Sequence, residues 1–211
     1  MSQRDRAEKK AKAPHGSGAW HSSKAAEKAQ RATVKVAKRA HRRLDDAIVE
    51  DERAATSDSV GETNIPTVIR FYSVTGEYGE FSNFAHFPIV VGRQVWKTSE
   101  HYFQAQKFKD PKDVKEIRTA KTPMLAARMG RDRKRKLRRD WESSKVSIMR
   151  VAVGAKFRQH EDLALMLLAT GTAKLVEHTE NDSYWGDGGD GSGKNMLGQI
   201  LMALRSELAI E

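Results

Sequence analysis

The chain has no cysteine among its 211 residues. That excludes a disulfide scaffold, a thiolate zinc site and a cysteine nucleophile. It also lacks any apolar run near the ~20 residues that cross a bilayer. The first residues, Met1 to Lys12, are charged and contain nothing like the ~7–15-residue apolar core of a secretory signal; a cytoplasmic protein without a membrane partner is expected. Apolar residues make up only 38% of the chain and aromatics 7%, against ~45–50% apolar (Gly included) in ordinary globular chains. Acidic residues are also in deficit, 28 against 38 Lys and Arg, a formal net charge of +10. A balance this basic points to an anionic partner or substrate.

The positive charge is concentrated at one end. Residues 1–43 carry 13 Lys/Arg and 3 Asp/Glu, whereas residues 44–65 carry 1 basic and 7 acidic side chains. This polarised stretch has few large apolar residues and is rich in Ala between Ser23 and Ala55. It reads as a charged extension, helical by propensity but with little to bury, or disordered. Its basic part is a candidate nucleic-acid arm, although it has no aromatic stacking partners beyond Trp20. The polar run Thr56–Asn64 reads as a linker. We therefore expect two units, an extension over residues 1–65 and one domain over residues 66–211, long enough for a single core.

Within that domain, Thr67–Tyr72 is rich in β-branched and aromatic residues and predicts a strand. Phe87–Val91, a turn at Gly92-Arg93 and Gln94–Trp96 predict a hairpin. Thr98 or Ser99 can cap a helix reaching about Phe108. Asp110-Pro111 and Thr122-Pro123 start two more, the second ending at Gly130. Longer helices are expected over Ser143–Arg158, Glu161–Ala169 and Asn195–Leu208, with an extended segment at Lys174–Glu177. This is α+β, mainly helical with a small sheet, and not a doubly wound parallel sheet.

Four polar groupings stand out. In Thr98–Phe108, Glu100, Gln104 and Lys107 fall at i, i+4 and i+7 on one helix face. If the neighbouring Tyr102, Phe103 and Phe108 bury that face, the carboxyl is pushed toward the pKa of a neutral-pH acid or base; if not, it is a solvated Glu/Lys stripe. His178–Asn195 is a Gly-rich segment with Tyr184, Trp185 and several acids, costly to order and so suited to binding. Gly188–Lys194 matches the G-x-x-x-x-G-K spacing, but Asn195 stands where a P-loop needs Ser or Thr, and no apolar strand precedes it. Metal ligation by His178, Glu180 and Asp182 is open but unspecific. Arg128–Trp141 carries seven basic residues in the nine positions 131–139 just before an aromatic ring; most of these read as a solvated run, and Trp141 as a platform for a flat ring. Phe81-Ser82-Asn83-Phe84 sets two small polar residues between aromatics. His86 and His160 read as structural or exposed.

On these strings the chain resembles the YbiA-like N-glycosidases of the NADAR superfamily: Glu77–Phe84, Thr98–Phe108, Ala127–Arg131 and Val176–Asn195 occur in the same order, from about Val68 to the C-terminus. The resemblance implies hydrolysis of the C–N bond in ribosylamino-pyrimidine 5′-phosphates, early intermediates of riboflavin synthesis, giving ribose 5-phosphate and an aminopyrimidine. Other members are linked to ADP-ribose, including its removal from guanine in DNA. It makes Glu100 the principal acid/base, with Asp182 or Asp187 orienting water or holding ribose hydroxyls. Lys107 would tune Glu100 or meet the phosphate. Trp141 and Trp185 would stack on the base, and Ser82, Asn83 and Asn195 would supply hydrogen bonds. Phe84, Gln104, Arg128 and Gly186 complete the expected substrate contacts. No metal or organic cofactor is implied. The alternatives to a small-molecule N-glycosidase are an ADP-ribosyl hydrolase acting on DNA, for which the basic extension would suit a polyanion, and a module that binds ADP-ribose or a nucleotide without turnover.

Overall fold

A computed structural model describes residues 66–211. The expected extension over residues 1–65, with its Ala-rich helix and nucleic-acid arm, lies outside the described residues. The domain itself is α+β, with four short strands and six α-helices. The strands are β1 (Val68–Phe71), β2 (Ile89–Val91), β3 (Gln94–Trp96) and β4 (Lys174–Glu177). The helices are α1 (Ser99–Ala105), α2 (Pro111–Thr119), α3 (Pro123–Gly130), α4 (Trp141–Arg158), α5 (Glu161–Leu168) and α6 (Met196–Leu208). Among the described residues no helix is long and apolar enough to cross a membrane.

The three short helices begin where local chemistry dictates. Thr98 accepts a hydrogen bond from the His101 amide, Asp110 from Lys112 and Thr122 from Leu125. Each cap satisfies a donor that the first turn leaves orphaned, and Pro111 and Pro123 sit where their missing N–H costs nothing. The hairpin β2–β3 closes through Gly92 and Arg93, both at φ +61. This two-residue left-handed turn matches the twist of the flanking strands. β1 and β4 pair in parallel, Val68 opposite Lys174 through Phe71 opposite Glu177.

Two apolar clusters fill the interior. One gathers Ile69 and Phe71 of β1, Leu175 of β4, Val153 and Phe157 of α4, and the inward faces of α5 and α6. The other gathers Ile89, Trp96, Tyr102, Phe108, Ile117 and Ala126. Helix α1 lies on the seam, giving Phe103 to the first cluster and Tyr102 and Ala105 to the second. All seven of its residues are buried. It stops at Ala105, short of the expected Phe108. Conversely, α4 starts at Trp141, two residues earlier than the spacing suggests, so Trp141 belongs to its first turn and is 6% exposed.

Candidate active site

Helix α1 buries Ser99, Glu100, His101 and Gln104, which is tolerable only if their polar atoms find partners. His101 Nε2 meets the Ala120 carbonyl at 3.2 Å and Nδ1 meets the Thr98 hydroxyl at 2.8 Å. Nε2–H donates to that carbonyl; burial lowers the ring's pKa and so favours the neutral form, in which Nδ1 accepts from the Thr98 hydroxyl. Ser99 Oγ donates to the Ala152 carbonyl. Gln104 Nε2 donates to Glu100 Oε1 at 2.7 Å. The first turn is fixed from outside as well, because the Glu100 amide donates to the Asn83 carbonyl at 3.2 Å.

Glu100 is therefore the buried carboxyl, not part of a solvated stripe; it is 5% exposed. Burial pushes its pKa up to about 7, against the lowering by the Gln104 hydrogen bond and the Lys107 and Arg131 charges, with Asp182 raising it further. The Lys107 ammonium is held down by burial and up by Glu100. It donates to the Gly130 carbonyl at 3.3 Å and sits 5.4 Å from the Trp141 ring centre and 5.8 Å from that of Phe103. α3 ends at Gly130 as expected, and the glycine also permits close approach: a Cβ on it would lie 1.9 Å from Gln104 Oε1.

Behind these groups runs a wall of four rings. Trp141 and Phe103 are 5.1 Å apart, Phe103 and Trp185 5.2 Å, Trp185 and Tyr184 5.1 Å. Lys107 stands at one end; at the other, Lys145 Nζ lies 3.9 Å and Lys194 Nζ 5.3 Å from the Tyr184 ring centre.

The Gly-rich segment is organised by its own acids. Asp182 Oδ1 accepts from the Tyr184 and Trp185 amides, both at 2.8 Å. Its other oxygen has no hydrogen-bond partner among the described residues. Asp187 is fully committed: Oδ1 accepts from the Thr179 and Gly189 amides and Oδ2 pairs with His178 Nδ1 at 2.9 Å. Burial opposes its ionisation, but His178 and the two amides outweigh that and keep its pKa low. At the end of β4, Glu177 is pushed up to about 8, first by burial and then by Asp182, Glu100 and Asp187. Glu177 and Glu100, each raised in part by neighbouring carboxyls, thus both resist ionisation.

The structure thus brings together Glu100, Gln104, Lys107, Trp141, Trp185 and Asp182. It sets others apart. Asn195, expected to bind substrate, uses its amide on the β4 backbone: Oδ1 accepts from Glu177 N at 3.0 Å and Nδ2 donates to the Leu175 carbonyl at 2.8 Å. Gly186 is a packing position, since a Cβ there would meet Thr179 Cγ2 at 2.6 Å. Arg128 is exposed on α3; Arg131, at its C-cap, is the arginine that faces Glu100. The buried Ser82 Oγ accepts from the Phe84 amide, and the Phe84 ring is half-buried. Asn83 Nδ2 donates to Met149 Sδ, and its buried Oδ1 lacks a partner, as does Gln104 Oε1. Sequence spacing missed Glu177 and Arg131. The signal for Glu177 was its place at the strand end where the Gly-rich segment begins. Among the described residues no three His, Asp or Glu side chains are grouped as metal ligands.

Comparison with known proteins agrees with this picture. A family model described as the NADAR domain matches residues 70–209. The N-glycosidase YbiA of Escherichia coli is 63% identical over 145 residues, covering 69% of this chain and 91% of that protein. An N-glycosidase of Nostoc punctiforme is 47% identical over 143 residues, covering 66% and 92%. The maize chloroplast riboflavin biosynthesis protein PYRR is 42% identical over 162 residues, 70% of this chain but only 26% of its own length. The NMR structure of E. coli YbiA superposes with a TM-score of 0.65 at 62% identity, covering 68% of this chain and 86% of that one.

Proposed function

The chain belongs to the NADAR domain family and is a hydrolase of N-glycosyl bonds; from that premise we propose that its substrate is a ribosylamino-pyrimidine 5′-phosphate and that Glu100 is its acid/base. The observation that carries this reading is one carboxyl, poised at about 7 by burial, beside a wall of tryptophan and phenylalanine rings. Breaking a ribosyl C–N bond leaves an oxocarbenium-like sugar and a poor amine leaving group. Near neutral pH about half the Glu100 carboxyls hold a proton to give to the departing nitrogen as the C1′–N bond breaks. Asp182, with one oxygen uncommitted, takes a proton from the water that adds to C1′. The products are ribose 5-phosphate and the aminopyrimidine.

The rest of the site suits this substrate. The aromatic wall offers a face to the flat base. The orphaned oxygens of Asn83 and Gln104 accept from a ligand rich in N–H and O–H donors. Arg131 and Lys145, the latter paired with Glu142, each stand within electrostatic reach of Lys107, and the three present cations to the phosphate. Asp187 acts on the segment and not on the substrate, holding the turn that carries Trp185. The names of the relatives support the chemical class, since two are called N-glycosidases and one a riboflavin biosynthesis protein.

One surface feature favours the second reading, an ADP-ribosyl hydrolase on DNA. A groove of about 830 Å³ between α2 and the 132–139 segment has four acids, all engaged: Asp113 and Glu116 with Arg135, Asp110 and Asp132 with backbone amides. Five of its cations, Lys109, Lys112, Lys134, Lys136 and Arg139, have no side-chain partner among the described residues. The deciding experiment is release of the sugar product from the pyrimidine phosphate and from ADP-ribosylated guanine in DNA, side by side, with Glu100→Gln as control. Turnover of the pyrimidine alone, falling about 10²–10⁴-fold in Glu100→Gln, supports the first reading. Turnover of DNA alone, steeply lost with salt, replaces it with the second.

A further inference from the structure

Lys156 is 1% exposed, in the last turn of α4. Lysine is almost never found so deep without a partner. Exchanging a buried charged group for an apolar one of similar size is often harmless or stabilising. The packing of α4 therefore does not explain the residue. What it touches is the loop after β1. Lys156 Nζ donates to the backbone carbonyls of Glu80 and Ser82, the latter at 2.9 Å. Those two carbonyls flank the end of the 3-10 turn Gly79–Phe81. The next residue, Asn83, supplies the carbonyl that accepts the Glu100 amide. One more contact ties the same loop to the same helix face: Asn83 Nδ2 donates to Met149 Sδ, and Met149 lies two turns before Lys156.

We propose that Lys156 is a positioning residue for Glu100: it clamps the Gly79–Ala85 loop onto α4, so that the Asn83 carbonyl fixes the first turn of α1. This rests on the reading of Glu100 as the acid/base. The chain of contacts is continuous, from the Lys156 amine to the Ser82 carbonyl, through one peptide to Asn83, and across one hydrogen bond to Glu100. It is also robust to protonation. Burial lowers the Lys156 pKa to about 7, against the opposing charge of Glu80. A neutral amine still has two N–H donors for its two carbonyl acceptors. Glu80, on the loop, is the charged group that faces it; its other close neighbours are the rings of Phe87 and Phe157, at 5.4 and 5.5 Å.

The test is a double-mutant cycle on the full-length protein, following ribose 5-phosphate release from the ribosylamino-pyrimidine phosphate as a function of pH. Lys156→Met keeps the length and apolar stem but removes both donors. We expect kcat to fall about 10²-fold, the cost of a misplaced catalytic group, with KM changed less than about threefold. The limb of the pH profile assigned to Glu100 should move. In a Glu100→Gln background the same substitution should change the residual rate less than about twofold, because the group being positioned is gone. Lys156→Gln, which keeps two N–H donors, should recover part of the loss and stands in if the Met variant does not fold. Equal fold-losses in the two backgrounds, or full activity in a folded Lys156→Met protein, would overturn the proposal. If Glu100→Gln itself retains the wild-type rate, the reading of Glu100 fails first, and the two failures are told apart.

Discussion

Replacing Gly130 by alanine is the sharpest test of the site's packing, because intrinsic propensity and structure give opposite signs. Gly130 is the last residue of α3. At an unencumbered helical position, Gly→Ala gains about 1 kcal/mol. Here the new methyl would sit 1.9 Å from Gln104 Oε1, 2.7 Å from its Cδ and 2.9 Å from its Cβ, inside van der Waals contact with most of the side chain. Gln104 is itself 5% exposed and has no free space to retreat into. Overpacking a filled core costs about 1–3 kcal/mol, which cancels or exceeds that gain, so the variant should lose up to about 2 kcal/mol net, a fall in Tm of up to roughly 8 °C for a chain of this size. The displaced amide also withdraws its hydrogen bond from Glu100. That bond lowers the Glu100 pKa, so without it burial is opposed less and the carboxyl titrates above 7. Calorimetry would read the stability and a pH–rate profile the titration: the limb assigned to Glu100 should move to higher pH and kcat should fall about tenfold or more. A Gly130→Ala protein that melts like wild type with an unmoved limb would refute the close-approach argument and the role given to Gln104 together.

Three further outcomes are expected. The Glu100 carboxyl titrates at 4.5 when unfolded and at about 7 when folded; folding therefore takes up a proton between these values, and stability falls as pH rises through that window, by roughly 3 kcal/mol in full above pH 7. Glu100→Gln should accordingly melt about 6–12 °C above wild type at pH 8 and close to it at pH 4.5, while losing activity; equal melting temperatures at both pH values would count against a buried, destabilised carboxyl. Trp185→Ala should raise KM about tenfold or more with a smaller change in kcat, as loss of a stacking face costs ~1–3 kcal/mol; steady-state kinetics showing an unchanged KM would remove Trp185 from the base-binding wall. Asp187→Ala orphans the Thr179 and Gly189 amides and His178, and should cost about 1–3 kcal/mol and speed amide exchange across residues 178–195; unchanged exchange there would show that Asp187 does not hold the segment.

Much of this architecture is written locally. The strands β1 to β3 and the starts of α1, α2 and α3 are legible because Thr98, Asp110-Pro111 and Thr122-Pro123 carry their own capping chemistry, and because Gly92-Arg93 sits between alternating strands. The Glu100, Gln104 and Lys107 face is legible from helical spacing, but whether that face is buried is not, since burial depends on α3 and α4 arriving over it. The same limit hides Lys156. It shares an apolar face with Met149 and Val153, and in sequence it reads as one more surface lysine of a basic chain. Asn195 and Gly186 lie inside a segment composed like a binding loop, and only the fold shows that they are spent on β4 and Thr179. The early start of α4 has a local cause visible in retrospect: the Asp140 carboxylate is held by Arg138 and Ser144, which settles the chain into a helix from Trp141.

The parallel pairing of β1 with β4 joins residues about a hundred positions apart, and it governs when the enzyme comes into being. No hairpin can nucleate such a ladder; its loop-closure entropy is met only when the intervening helices have collapsed between the two strands. Glu100 lies on the β1 side of that closure, and Asp182, Trp185 and Glu177 lie on or beyond β4. A nascent chain that has released β1 through α5 from the ribosome holds Glu100 with Phe103 and Trp141, but without Tyr184, Trp185 or the Asp182 carboxyl. Competence to cut a glycosyl bond therefore appears late and at once, with the last forty residues, and β1 amides should exchange with solvent only through global unfolding.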